Sequence, residues 1–232
     1  MKAARYDFNR RQLVLVAQAL DDLLPRVVFV GGCTTVLLVD EVAYSGVRQT
    51  EDVDVIVDLA TYFEYQAFSA ALREHGFVED VSGPICRWLF NSRGARVKLD
   101  VMSADASAMG FTNKWYKQAL GSTQTHKLTE HLEIQVVSPV YFLATKFEAF
   151  LDRGEGNYYS HDLEDIVFVL ENRSGLIREL ETEPKDVKLY LAAQVRQLLN
   201  EKFLNVLPGL VMDDRHSPAV VTDMLRVMAS WS

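Results

Sequence analysis

The sequence predicts an α+β protein, a small mixed β-sheet with flanking helices followed by a helical C-terminal half. Three observations carry that expectation. Short β-branched runs alternate with amphipathic stretches as far as residue 137. From Ser138-Pro139 onward every pattern has helical spacing. A chain of 232 residues with 49% hydrophobic content is also long enough to bury a sizeable core. The expected division is an α/β core over 1–137 and a helical region over 138–232, sharing one core.

Each element has its own signal. Leu13, Val14, Val16, Ala17, Leu20 and Leu24 predict a helix over 9–24, stopped by Pro25. Val27-Val28-Phe29-Val30 reads as a buried strand. Gly31-Gly32 turns the chain, a helix fits 34–42, and 44–51 is polar and irregular. Valines return over 52–58 as a strand interrupted by Asp52 and Asp54. A helix over 62–75 closes at Gly76, the residue suited to a left-handed stop. Runs 85–91 and 96–102 form a hairpin about Ser92-Arg93-Gly94-Ala95, and 124–128 and 132–137 are two further strands. Ser138-Pro139 and Ser217-Pro218 each pair an N-cap with proline at the first helical position. The helices expected beyond are 139–152, 161–172, 174–182, 186–206 and 217–230.

Charge and cysteine content exclude several classes. Lys plus Arg is 24 against 32 Asp plus Glu, a net charge of -8, which argues against coating nucleic acid non-specifically. Cys33 and Cys86 are the only cysteines, too few for a disulfide scaffold or an all-cysteine zinc site, and they read as small buried hydrophobes. No apolar run reaches the ~20 residues of a membrane span. The opening Met-Lys-Ala-Ala-Arg-Tyr-Asp carries no signal-peptide core, so a cytoplasmic location without a membrane partner is expected.

The most informative stretch is the acidic one. Side chains at i and i+2 leave one face of a strand, so Asp52 and Asp54 present two carboxylates together. Two like charges in an apolar strand are unfavourable unless solvent or a cation compensates. A lone D-x-D is also what a solvated strand end looks like. Asp100, on the run Lys98-Leu99-Asp100-Val101, supplies a third carboxylate if that strand pairs beside the first. Three such groups could hold Mg²⁺, and two metals so held clamp an in-line phosphoryl displacement. Gly31-Gly32, between a strand and a helix, could cradle a polyphosphate through backbone N–H groups; alone it reads as a turn.

Together these residues resemble the nucleotidyltransferase superfamily of the DNA polymerase β type. More narrowly, Val30-Gly31-Gly32 and Arg48-Gln49-Thr50-Glu51-Asp52-Val53-Asp54-Val55 resemble the AbiEii/AbiGii toxin branch, where Gly-Gly precedes an R-x-[ST]-x-D-[IV]-D strand. Leu143-Ala144-Thr145-Lys146-Phe147-Glu148-Ala149-Phe150, Arg153 and Ser160-His161-Asp162-Leu163-Glu164-Asp165-Ile166 are similar to that branch's helical block. The resemblance spans 27–172. Cys33-Thr34 follow the glycines where the superfamily commonly has Ser, and His161 stands where the branch often has Arg.

The resemblance implies an NTP substrate held by Gly31 and Gly32, with Thr34 as the nearby hydroxyl and Lys146 as a point charge on the triphosphate. It implies Mg²⁺ on Asp52, Asp54 and Asp100, with Asp100 helping to deprotonate the acceptor hydroxyl. Asp162 and Asp165, three apart on one helix face, complete the catalytic set. The helical half would close the cleft over it. The function implied is Mg²⁺-dependent transfer of NMP to an acceptor, by the toxin of a toxin–antitoxin pair acting on RNA, tRNA first, with a separately encoded antitoxin. A small-molecule nucleotidyltransferase of the antibiotic-modifying type and a non-catalytic nucleotide- or partner-binding relative are the alternatives.

Other groups have blander readings. His161-Asp162 would suit an HD-type phosphohydrolase only with further His ligands upstream, and His75, His126 and His131 lie in the wrong elements. Tyr158-Tyr159 could stack a base or simply pack. Asp213-Asp214-Arg215-His216 reads as a loop between helices. Lys114, Trp115, Tyr116, Lys117 and Lys127 form the best basic and aromatic patch for a short RNA contact, or a solvated face.

Overall fold

The computed structural model describes residues 2–40, 46–92, 94–154, 157–211 and 217–232. Its centre is a mixed seven-stranded sheet of β1 (Val27–Val30), β2 (Asp52–Val57), β3 (Val78–Glu79), β4 (Arg87–Ser92), β5 (Ala95–Ser103), β6 (Thr123–Thr129) and β7 (Leu132–Val137). The strand order is β3-β4-β5-β2-β1-β7-β6. Neighbours β2 and β5 run parallel, as do β1 and β7, while the hairpin pairs β4/β5 and β6/β7 are antiparallel. The α+β expectation holds.

Helix α1 (Lys2–Leu20) begins earlier than its apolar stripe and ends before Pro25. Asp21 takes a φ of 45°, a left-handed conformation that aspartate tolerates better than most residues, and a 3₁₀ segment, Asp21–Arg26, leads into β1. The helix expected over 34–42 is far shorter: a 3₁₀ turn, Gly32–Thr34, then α2 (Thr35–Leu38), while 41–45 lie outside the described residues. Helix α3 (Tyr62–Glu74) is closed by Gly76 at φ +82°, as expected. Strand β3 and the short helices α4 (Ala106–Met109) and α5 (Tyr116–Leu120) were not predicted.

The helical half begins where β7 ends. It comprises α6 (Pro139–Gly154), α7 (His161–Asn172), α8 (Leu176–Glu181), α9 (Lys185–Leu198), α10 (Glu201–Leu210) and α11 (Pro218–Ala229). The single helix expected over 186–206 is two. Asn200 caps the second by accepting from Phe203 N–H at 3.1 Å, an N-cap contact that competes with continuing the first helix. Asp213-Asp214-Arg215-His216 lie outside the described residues. Buried side chains from Leu13 on α1 to Met228 on α11 form one contiguous core, so both halves pack on the sheet as one body. Cys33 and Cys86 are buried free thiols. Among the described residues no helix is long and apolar enough to cross a membrane.

Candidate active site

Sheet register assembles a charged row. Val30 pairs with Asp54, Asp54 with Asp100, and Asp100 with Arg87, across β1, β2, β5 and β4. Paired residues share a sheet face, so Arg87, Asp100 and Asp54 stand side by side, with Asp52 two residues along β2 on the same face. Arg87 Nε donates to Asp100 Oδ1 at 2.8 Å. Its Nη2 donates to Asp100 Oδ2 at 2.7 Å and to Asp52 Oδ2 at 3.1 Å. Among the described residues Asp54 has no such partner. Burial first, then the charges of Asp52 and Asp100, push its carboxyl up to about 7 although it keeps some exposed surface on the cleft.

The glycine pair is explained by these side chains. Gly31 has φ +76°, and a Cβ there would stand 1.9 Å from Asp54 Oδ2. At Gly32 a Cβ would lie 2.7 Å from Arg48 Nη2 and 2.9 Å from Asp165 Oδ2. The pair therefore admits charged side chains against the backbone as well as turning the chain. Thr34 is fully buried and donates through Oγ1 to Gly31 O at 2.8 Å. Its hydroxyl holds the turn and does not face the cleft, which corrects its expected place beside the phosphates.

The helical side supplies cations. Ser160 caps α7, accepting from Leu163 N–H at 3.3 Å, and so sets Asp162 and Asp165 on the face toward α6. Lys146 Nζ is 3.1 Å from Asp162 Oδ1 and 2.7 Å from Asp165 Oδ2. Arg153, two turns further along α6, meets Asp162 Oδ2 at 3.0 Å. Arg48 reaches Asp165 Oδ2 at 3.1 Å from the loop before β2. Burial would lower the Lys146 pKa, yet Asp165 and Asp162 outweigh it and hold the ammonium charged. Burial would likewise raise Asp165, but Lys146 and Arg48 hold it below the usual carboxylate range. Asp162 and Asp165 are thus anchors for cations rather than companions of the β2 carboxylates.

A cleft lies between the two sets. Gly31, Asp54, Lys146, Arg153 and Asp162 line its polar side, and Met102, Phe111 and Tyr116 its apolar side. Phe111 is partly exposed there, while Asn113 and Thr145 are tied down by their own hydrogen bonds.

The donor set suits a hard divalent cation in its chemistry. Three carboxylate side chains share a sheet face, and Asp54, raised first by burial and then by the charges of Asp52 and Asp100, is a group whose charged form a cation would favour. As they stand, no three His, Cys, Asp or Glu side chains among the described residues converge as ligands, and Asp52 and Asp100 are paired with Arg87.

Four functional residues escaped the sequence reading. Arg87 was legible only through register: closing the hairpin at Asn91 and Arg96 or at Ser92 and Ala95 sets it opposite Asp100 either way, but no motif draws attention to it. Arg48 belonged to a quoted motif without a stated role. Asn9, fully buried on α1, donates to Arg48 O at 2.8 Å and accepts from Thr50 N–H at 3.0 Å, pinning the loop that delivers Arg48; no local pattern marks it. Phe111 carried no signal either.

Of the basic and aromatic cluster, Lys117 is exposed and the other members are engaged elsewhere. Lys114 pairs with Glu148 at 2.9 Å and lies 4.0 Å over the Tyr190 ring, and Trp115 and Tyr116 are buried. Lys127 pairs with Glu133 across the β6/β7 hairpin. Tyr158 packs on Phe150 and Phe203 and bonds Asn200, so it is a core residue, whereas Tyr159 is exposed. His161 is an exposed partner of Glu164.

A D-x-D strand flanked by a third carboxylate, a glycine pair at the neighbouring strand end and a lysine across the cleft define a nucleotidyltransferase. A solved structure described as an antigenic nucleotidyltransferase-like protein from Paracoccidioides brasiliensis shares the fold, with a TM-score of 0.53 at 18% identity over 89% of this chain and 94% of that one. Residues 14–219 match the family described as "Nucleotidyl transferase AbiEii toxin, Type IV TA system", and the chain belongs to that family. No curated protein matches the sequence.

Proposed function

We propose that the protein transfers an NMP from an NTP to a hydroxyl of RNA, tRNA foremost, with Mg²⁺, as a toxin opposed by a separately encoded antitoxin. The observation that supports it best is the cleft itself, with Asp54 and Gly31 on one wall and Lys146 and Arg153 on the other. Lys146 and Arg153 would meet the triphosphate, Arg153 first, since its side chain is 72% exposed. Phe111 and Met102 offer the base an apolar face. Asp52, Asp54 and Asp100 would hold Mg²⁺, which when bound neutralises charge on the phosphates and on the leaving pyrophosphate.

In the transfer, the acceptor oxygen bonds to the α-phosphorus, the α–β bridging P–O bond breaks, and the acceptor's proton passes to a base. Asp100 was the expected proton acceptor. Both of its oxygens accept from Arg87, so it takes a proton only after that fork lets go. The antitoxin follows from the family and the RNA acceptor from the family resemblance; Lys114 and Lys127 are ion-paired and lend the acceptor little support.

The test supplies each α-labelled NTP with total RNA and, separately, with aminoglycosides or lincosamides. Label entering RNA, lost in Asp52→Ala and Asp54→Ala, is the expected result. Label entering only the small molecules, or transfer that survives both substitutions, refutes the proposal.

A further inference from the structure

Arg87 donates three charge-assisted hydrogen bonds to two acids of the site, and no motif assigns it a role. Its Nε and Nη2 engage both oxygens of Asp100 at 2.8 and 2.7 Å, and Nη2 also reaches Asp52 at 3.1 Å. The side chain is only 18% exposed, and register, not a flexible reach, delivers it, since Arg87 pairs with Asp100 across the β4/β5 hairpin. A bidentate guanidinium–carboxylate fork is among the stronger charge-assisted contacts. It sets a positive charge against both oxygens of Asp100 and one oxygen of Asp52, where a hard cation would bind.

We propose that Arg87 is an internal counter-ion that competes with the divalent cation for Asp52 and Asp100, so that cation loading requires Arg87 to release at least one of them. The inference rests on the cation site of the proposed function. It makes the protein without nucleotide a weak binder of divalent cations. It also fixes a sign: a residue that merely aligned the carboxylates would weaken cation binding when removed, whereas a competitor strengthens it.

The experiment titrates the full-length chain, free of nucleotide, with Mn²⁺ by calorimetry and by electron paramagnetic resonance. Arg87→Gln removes the charge, and Arg87→Lys keeps a charge without the fork. Arg87→Gln is expected to bind Mn²⁺ about tenfold to a hundredfold more tightly than the parent, the range for losing one or two charge-assisted hydrogen bonds. Arg87→Lys falls between them, and Mn²⁺ raises the melting temperature of Arg87→Gln more than that of the parent. Should Arg87→Gln fold poorly, a severalfold gain in Arg87→Lys carries the same conclusion. Equal or weaker binding by the variants, with the parent still binding, overturns the competition and leaves the cation site standing. Absence of Mn²⁺ binding in parent and variants alike overturns both.

Discussion

Removing the Asp165 carboxylate tests whether the helical half serves as an anchor for cations. Asp165 is 2% exposed and accepts from Lys146 at 2.7 Å and from Arg48 at 3.1 Å. Truncating one partner of a buried ion pair costs about 3–5 kcal/mol, because the remaining charge is left without compensation. Lys146 keeps Asp162 at 3.1 Å, and Asn still offers one acceptor oxygen. Asp165→Asn is therefore expected near the low end, about 3 kcal/mol, a large share of the ~5–15 kcal/mol that holds a domain folded. Urea denaturation at pH 7 reads it as a lower midpoint at unchanged slope.

The pH dependence fixes the cause. The Asp165 pKa is depressed in the folded chain, so its stabilisation is fully present above the unfolded carboxylate range and is lost as pH falls through the folded value. The gap between parent and Asp165→Asn should stay constant from pH 8 to 5 and shrink only below about 4. A Lys146→Met, Asp165→Asn cycle should show coupling of about 1–3 kcal/mol. A destabilisation below ~1 kcal/mol, the size of a surface pair, or a gap that changes between pH 8 and 6, would refute the anchoring argument.

Three further outcomes follow from single contacts. Gly31→Ala places a Cβ against Asp54 Oδ2 at φ +76°; a loss of about 1–3 kcal/mol by thermal denaturation is expected, with transfer abolished. Asn200→Ala removes the cap between α9 and α10 and should cost about 1 kcal/mol while leaving the KM for NTP unchanged. Phe111→Ala should raise the KM for NTP severalfold with kcat nearly constant, the signature of lost uniform binding; an unchanged KM would remove Phe111 from the base site.

The legible parts were those with a local cause. Strand β1, the D-x-D strand and the two Ser-Pro helix starts each have a pattern within a few residues, and the structure places them where the sequence did. Asp54 beside Asp100 was likewise readable, since two apolar strands interrupted by Asp gain from pairing only if their acids share a face. The break at Leu199–Asn200 was hidden because apolar spacing runs through it, and the cap, stabilised by Tyr158 from another segment, outweighs that spacing. Contacts across long separations were least legible. Arg48 and Asp165 meet over 117 positions, and Asn9 and Arg48 over 39, so nothing near either partner announces the other. Thr34 misled for the opposite reason: a hydroxyl after a glycine pair suits a phosphate site, but a fully buried one is already needed by the turn.

The charge inventory of the cleft bears on how a chain of net charge -8 would hold the proposed triphosphate. Five carboxylates, Asp52, Asp54, Asp100, Asp162 and Asp165, meet four cations, Arg48, Arg87, Lys146 and Arg153. The cations are already committed, Arg48 and Lys146 to buried Asp165 and Arg87 to Asp100. Only Arg153, exposed and sharing Asp162 with Lys146, can turn to phosphate at small cost. One exposed guanidinium does not offset a triphosphate laid beside Asp54, whose carboxyl already resists ionising. On the proposed function, charge balance would call for cations that arrive with the nucleotide. That is the physical argument for a divalent metal, and it follows from the pairing of these nine side chains whatever the acceptor proves to be.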